Sequence, residues 1–342
     1  MRALLVLQVA ALVGCTGTGF GTLAPKPLYR DPVFDGAADP AIIYSQAEGK
    51  WLMFHTMRRA NVAGLTAVSW VHGTPIGLAE SVDGANWAYR GQVDFPENMP
   101  RDIQGSDVPA SYWAPALLRH GDTYHMYITM VPGIFNDWNH PRRIVHLTSA
   151  DLKQWQYQSS LKLASDKVID ATVVQLPNGG WRLWYNNEAA AKTTFYADSQ
   201  DLYCWVDKGS AKLPQDRGEA PMVFKWRGYH WLINDLLGNR GLGVYKSSDA
   251  SNWLRQPHDL LSQPGRGLDD QNGGHHPEVI VSGDRAYLYY FVHPGVAADS
   301  DQADSKRSSI QVVELTLQDG WLRADRDAPS LIKLTAPGES GK

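Results

Sequence analysis

Apolar and polar residues alternate with a period of two through most of this chain. Five stretches share one design, a glycine turn followed by an alternating aromatic run: GKWLMFHT, GDTYHMYIT, GGWRLWYNN, RGYHWLIND and GDRAYLYYFV. Successive side chains of a strand point to opposite faces, so this pattern predicts half-buried strands. A shorter apolar strand precedes each one, namely ADPAIIY, WAPALL, IDATVVQL, EAPMVFK and HHPEVIV. A third follows, as TPIGLAES, RRIVHLTS, TTFYADS, LGVYKSS and SIQVVEL. Long amphipathic helical spacing is missing, which argues against an α/β sheet.

A second periodic signal runs in phase with the strands. Ser81 to Trp87, Ser149 to Trp155, Ser199 to Trp205 and Ser247 to Trp253 all fit S-x-D-x-x-x-W. The Ser and Asp side chains can satisfy backbone N–H groups of a tight turn while the Trp packs the next strand, so the repeat is structural. Five units of about four antiparallel strands predict an all-β, five-bladed β-propeller. The expected organisation is one propeller domain over 27–335, with a flexible tether over 16–26 and a disordered tail over 336–342.

Composition narrows the function classes. The 342 residues are 43% hydrophobic and 20% charged, with 13 Trp and 15 Tyr, which describes a globular chain with ample core material. A net charge of −4 and no run of Lys or Arg give nucleic-acid phosphates nothing to grip. A neutral substrate fits better. The first segment, MRALLVLQVAALVGCTG, has one Arg and a short apolar run, the form of a secretory signal. It is too short for a membrane span. Leu12-Val13-Gly14-Cys15 resembles the bacterial lipobox, which implies an exported protein whose signal over 1–15 ends at a lipidated Cys15. The implied address is the bacterial envelope, at the outer membrane if the source is Gram-negative. An ordinary signal peptide is the plainer alternative. Either way Cys204 lacks an intramolecular partner, so no structural disulfide is expected. A monomer is expected.

The first strand of every propeller blade lines the central channel, so the starts of these strands converge. Here they carry Asp39, Trp113, Asp170, Glu219 and the pair His275-His276. Singly, each carboxylate reads as a turn or strand-entry residue. Their recurrence favours function, because like charges gathered at a channel mouth are costly unless a proton, metal or substrate uses them. Two carboxyl groups across a pocket are the minimum apparatus for glycoside hydrolysis, and a third near the acid can hold its pKa up.

Ala38-Asp39-Pro40, Trp113-Ala114-Pro115, Ile169-Asp170-Ala171, Gly218-Glu219-Ala220-Pro221 and Gly274-His275, in this blade order, resemble the motifs of glycoside hydrolase family 43 and its five-bladed relatives. The resemblance covers roughly residues 35 to 295. It implies Asp39 as general base, Glu219 as general acid and Asp170 as the residue that tunes and orients the acid, in an inverting mechanism on arabinofuranose, xylose or galactofuranose linkages. It also makes His275 similar to an axial histidine that helps hold a calcium ion in the channel. The alternative is an ordinary hydrogen-bonded channel residue, and no cofactor is required. The sequence departs from the pattern at Ala220, where Gly is usual, at Ala171, where Pro is common, and at Ala116, where many members have an acidic residue.

Candidates for contacting substrate are Trp113, Trp138, Arg143, Glu188, Arg240 and His276, with His72, His140 and Asn187 as further loop or strand-end residues. Trp138 stands out, because an indole in the polar loop Phe135 to His140 has little structural reason to be there. Two other classes stay open. A non-catalytic glycan-binding lipoprotein would not need a tuned acid and base. A glycan phosphorylase would need a cationic cluster for phosphate, for which Arg142 and Arg143 are the candidates.

Overall fold

Each predicted set of strands closes into a four-stranded antiparallel sheet, and five such sheets follow one another along the chain. The computed structural model describes residues 21–100, 108–215, 217–294 and 306–337. Residues 1–20, which include Cys15, and 338–342 lie outside the described residues. Blades I to V span 37–92, 111–160, 168–210, 218–255 and 275–324. Their first strands, Ala37–Ser45, Ser111–His120, Val168–Gln175, Gly218–Trp226 and His275–Ser282, contact one another in a closed ring. The protein is a five-bladed β-propeller.

The aromatic second strands explain the ring's cohesion. Their alternate side chains fill five apolar clusters, one between each pair of neighbouring blades. Trp184, Tyr127 and Trp231 are fully buried in three of them. The S-x-D turns behave as their chemistry dictates. Ser81 Oγ accepts the N–H groups of Asp83 and Gly84, and Asp83 Oδ1 accepts those of Ala85 and Asn86. The turns at Ser149, Ser199 and Ser247 repeat this arrangement.

Blade V takes all four strands from the C-terminal part of the chain, so the ring is closed from outside the blade. Thr22–Leu23 pairs with Leu331–Ile332, and Tyr29 and Gly36 bridge to Ile310 and Ser308. Of the tether expected over 16–26, residues 22–26 are held against the C-terminal segment, and 16–20 lie outside the described residues. Ala24 is buried and donates its N–H to Ser330 O, and the Lys26 ammonium bonds Arg326 O. A short pairing strand carries too little hydrophobic periodicity to be visible in sequence.

Candidate active site

All five first strands break register at the same place. The interruption falls between Ala38 and Ala41, Trp113 and Ala116, Ile169 and Thr172, Glu219 and Met222, and His275 and Glu278. Within each bulge one non-glycine residue has positive φ: Asp39 (51°), Ala114 (48°), Asp170 (58°), Ala220 (49°) and His276 (43°). L-residues seldom adopt this conformation, and bulges commonly re-aim side chains at functional sites. The register also corrects the sequence alignment of the blades. Asp39, Asp170 and His276 are equivalent, whereas Trp113, Glu219 and His275 occupy the preceding position, matching Ala38 and Ile169. The three carboxylates therefore come from two successive positions of the bulge rather than from one.

Facing the bulges are the ends of the second strands, which hold the next blade in place. Thr56 Oγ1 accepts the Ala114 N–H at 2.9 Å, Thr129 Oγ1 accepts the Asp170 N–H at 3.1 Å, and Asp235 accepts the His276 N–H at 3.2 Å. Asn186 Nδ2 bonds the Gly218 carbonyl. Gly218 has to be glycine, because a Cβ there would overlap the Asp235 carbonyl oxygen. That close approach sets the position of Glu219.

A cavity of about 590 Å³ opens over this ring, lined by Asp39, Asp170 and Glu219 together with Arg58, Trp113, Trp138, Arg142, Glu188, Lys192, Asp235, Asn239, His275, His276 and His293. At its first corner Arg58 Nη2 lies 3.2 Å and His276 Nδ1 3.4 Å from Asp39 Oδ1. Burial pushes the Asp39 carboxyl up, but Arg58, His276, the Thr56 hydroxyl and His293 outweigh it and hold it below the ordinary carboxylate value. Arg58 is oriented in turn by its 4.6 Å stack on Phe291 and by His293 Nε2 at 3.2 Å. His293 donates from Nδ1 to Arg307 O, which leaves Nε2 as the acceptor, and burial keeps the ring neutral with a pKa near 3.

Elsewhere in the cavity the Lys192 ammonium contacts both Glu219 and Glu188, the latter at 3.1 Å. Glu188 is also 2.6 Å from Arg142 Nε. Arg142 Nη2 donates to the carbonyl of Trp138, so the loop carrying that indole is anchored to the charged row. Trp138 is 53% exposed and stands edge-on to Trp113, 6.3 Å between ring centres, as an aromatic wall. Trp113 itself is buried and donates its indole N–H to Val71 O.

Asp170 senses the charges of both groups. Burial, assisted by the Asp39 and Glu188 charges and opposed by His276 and the Ala220 N–H, raises its pKa to about 6. Asp39 and Asp170 thus have carboxyls pushed in opposite directions, a signature of sites that divide acid and base tasks. Beneath the bulges Asp170, His276 and Glu278 line a small cavity of about 80 Å³. Glu278 accepts the Ile42 N–H there, and burial raises its pKa to about 8.

The expected substrate residues separate into two groups. Trp113, Trp138, Glu188 and His276 line the cavity, whereas Arg143 and Arg240 are not among its lining residues. His72 is buried and bonded to His140, 2.9 Å between their Nε2 atoms. Calcium takes about six to eight oxygen ligands. Among the described residues no group of three or more His, Cys, Asp or Glu side chains could hold an ion. His275 Nδ1 is 3.1 Å from Asp235 Oδ2 and its Nε2 is 2.7 Å from Asn239 Oδ1, so both ring nitrogens are engaged. These residues do not fit a calcium site built on His275. Arg58, Lys192, Asp235 and His293 were not anticipated. For Arg58 and Asp235 a signal exists: Asp235 stands near the end of a second strand and reaches the next bulge at His276, and Arg58 directly follows a second strand and reaches Asp39 in the bulge of its own blade.

No family profile and no curated protein matches the sequence. Solved structures do match the fold. A thermostable family 43 glycoside hydrolase superposes with a TM-score of 0.62 at 16% identity, covering 90% of this chain and 99% of that one. A family 43 β-1,3-galactosidase with galactodeoxynojirimycin gives 0.63 at 16% identity, over 88% and 97%. A family 117 glycoside hydrolase of the marine bacterium Zobellia galactanivorans gives 0.62 at 14% identity, over 85% and 88%. What the chain shares with these enzymes is the five-bladed propeller on which each is built.

Proposed function

We propose that this protein is a glycoside hydrolase of the inverting type, acting through Asp39, Glu219 and Asp170. The observation that carries the reading is the convergence of these carboxyl groups on one cavity with Asp39 held ionised and Asp170 held up. Similarity of fold to family 43 and family 117 glycoside hydrolases adds support. In the inverting scheme, water enters beside Asp39, whose ionised carboxylate removes a proton as the oxygen attacks the anomeric carbon. Glu219 delivers its proton to the departing glycosidic oxygen. Asp170, fixed to the Glu219 strand, orients that strand and biases its charge. The aromatic wall of Trp113 and Trp138 offers a face for a sugar ring.

A phosphorylase would need cations open to phosphate. The cationic side chains Arg58, Arg142 and Lys192 of the cavity each face a carboxylate, so a neutral glycoside is the better substrate. Arabinofuranose, xylose and galactofuranose linkages are the first to test, and export with lipid attachment at Cys15 forms part of the proposal. The experiment is a panel of aryl glycosides of these sugars, with and without phosphate, followed by NMR of the released anomer. Hydrolysis with inversion supports the reading. Retention, or turnover only with phosphate, would replace it.

A further inference from the structure

The turn that presents Lys192 is an unusual piece of backbone. Glu188–Ala190 forms a single 3-10 turn, after which Ala191 and Lys192 both have positive φ, 58° and 57°. Two successive left-handed non-glycine residues are strained, and the surroundings must hold them there. One restraint is direct: the Lys192 carbonyl accepts the N–H of Gly218 at 3.0 Å, immediately before Glu219. The strained turn is thus tied to the strand that bears the carboxyl it addresses. Of the cationic side chains lining the cavity, Arg58 contacts Asp39 and Arg142 contacts Glu188, while Lys192 contacts Glu219.

Resting on the glycosidase reading above, we propose that Lys192 is a positioning residue that sets the strength of Glu219 as a proton donor, its ammonium shared between Glu219 and Glu188. A lysine suits this better than an arginine, because its ammonium is a compact charge on a flexible stem. When the Glu219 proton passes to the glycosidic oxygen, the C–O bond electrons stay with that oxygen, the leaving group departs as a neutral alcohol, and Glu219 becomes a carboxylate. Lys192 neutralises the charge so formed. Before the next turnover a solvent proton returns to Glu219, and the ammonium keeps its contact with Glu188, 3.1 Å away. The other charged groups around Glu219 leave this task to Lys192. Asp170 on the blade III strand and Asp235 on the paired strand are carboxyl groups and bring no positive charge to Glu219. His275 and His276 on blade V are directed to Asp235 and Asp39, and Arg142 lies behind Glu188.

An opposite charge in contact lowers a carboxyl pKa by about one to three pH units, and the partial exposure of this pair, 36% for Lys192 and 27% for Glu219, places it at the low end. Lys192→Met should therefore raise the Glu219 midpoint by about one pH unit, measured by ¹³C titration with Glu219→Gln as the assignment control. The alkaline limb of kcat/KM should move upward by the same amount, and kcat should fall for poor leaving groups only. Lys192→Arg keeps the charge and should leave the Glu219 midpoint close to the wild-type value, with kcat lowered by the poorer fit of the planar guanidinium. Because the pair is screened by salt, raising ionic strength from about 0.05 to about 1 M should also move the wild-type midpoint upward, a check that needs no variant. A midpoint unmoved by salt and by folded Lys192→Met overturns the proposal. If no glycoside is cleaved, the enzymatic reading fails, while the titration still decides whether Lys192 governs Glu219.

Discussion

Asp170 Oδ2 accepts the backbone N–H of Ala220 at 3.1 Å, so the buried carboxyl of blade III is bonded to the residue next to Glu219 on blade IV. The contact joins two consecutive bulges. It makes Asp170 a group through which electrostatics and backbone position of the Glu219 strand change together.

Removing the charge of Asp170 is expected to trade activity for stability. A carboxyl raised from 3.8 to about 6 binds more protons folded than unfolded, so stability falls as pH rises from about 4 to about 6 and stays reduced above. Asp170→Asn keeps an acceptor for Ala220 without that ionisation. It should gain about 2–3 kcal/mol of unfolding free energy at pH 8 and much less at pH 4, with reduced turnover. Urea melts at both pH values check the sign.

Glu278 should show the same trend at higher pH. Its carboxyl, raised from 4.5 to about 8, is neutral in the folded protein at pH 7 and ionises as pH passes through about 8. Glu278→Gln should flatten the loss of stability between about pH 5 and pH 9. An unchanged profile would mean that the channel carboxyl is already ionised and compensated.

The acid and base variants are expected to differ by leaving group. Glu219→Gln removes the transferable proton and should cost on the order of 10²–10⁴-fold in kcat on a natural glycoside. The loss should be smaller on a nitrophenyl glycoside, which departs with less protonation. Asp39→Asn should harm both substrates alike, since water still needs its base.

Arg58 should control the acidic limb. Asp39 must be ionised to act, so activity is lost as pH falls through its depressed pKa. Arg58→Leu removes the largest of the influences that lower that pKa and should move the limb to higher pH. A limb that stays in place in the folded variant would separate Arg58 from the base.

Cys15→Ser is expected to release the protein from membranes or block its processing. Fractionation of cells expressing the two forms gives the answer, and unchanged association would remove the lipid anchor.

By itself, the sequence determined the fold. Five aromatic strands in alternating period, each with its companion strands and four with an S-x-D-x-x-x-W turn, specify local structure whose only common solution is a ring of small sheets. The inner-strand starts were equally legible, which brought Asp39, Asp170 and Glu219 into one group. Tertiary structure decided the rest, because the bulge displaces a side chain by one position and periodicity is blind to that shift. It separated Glu219 from the Asp39 and Asp170 register. It left Arg143 and Arg240 out of the cavity wall and engaged both nitrogens of His275. Lys192 reached Glu219 from 27 residues away through a strained turn that no propensity favours. Charges of this kind find their partners only when blades pack, since the distance that matters to Coulomb's law is the one across the channel.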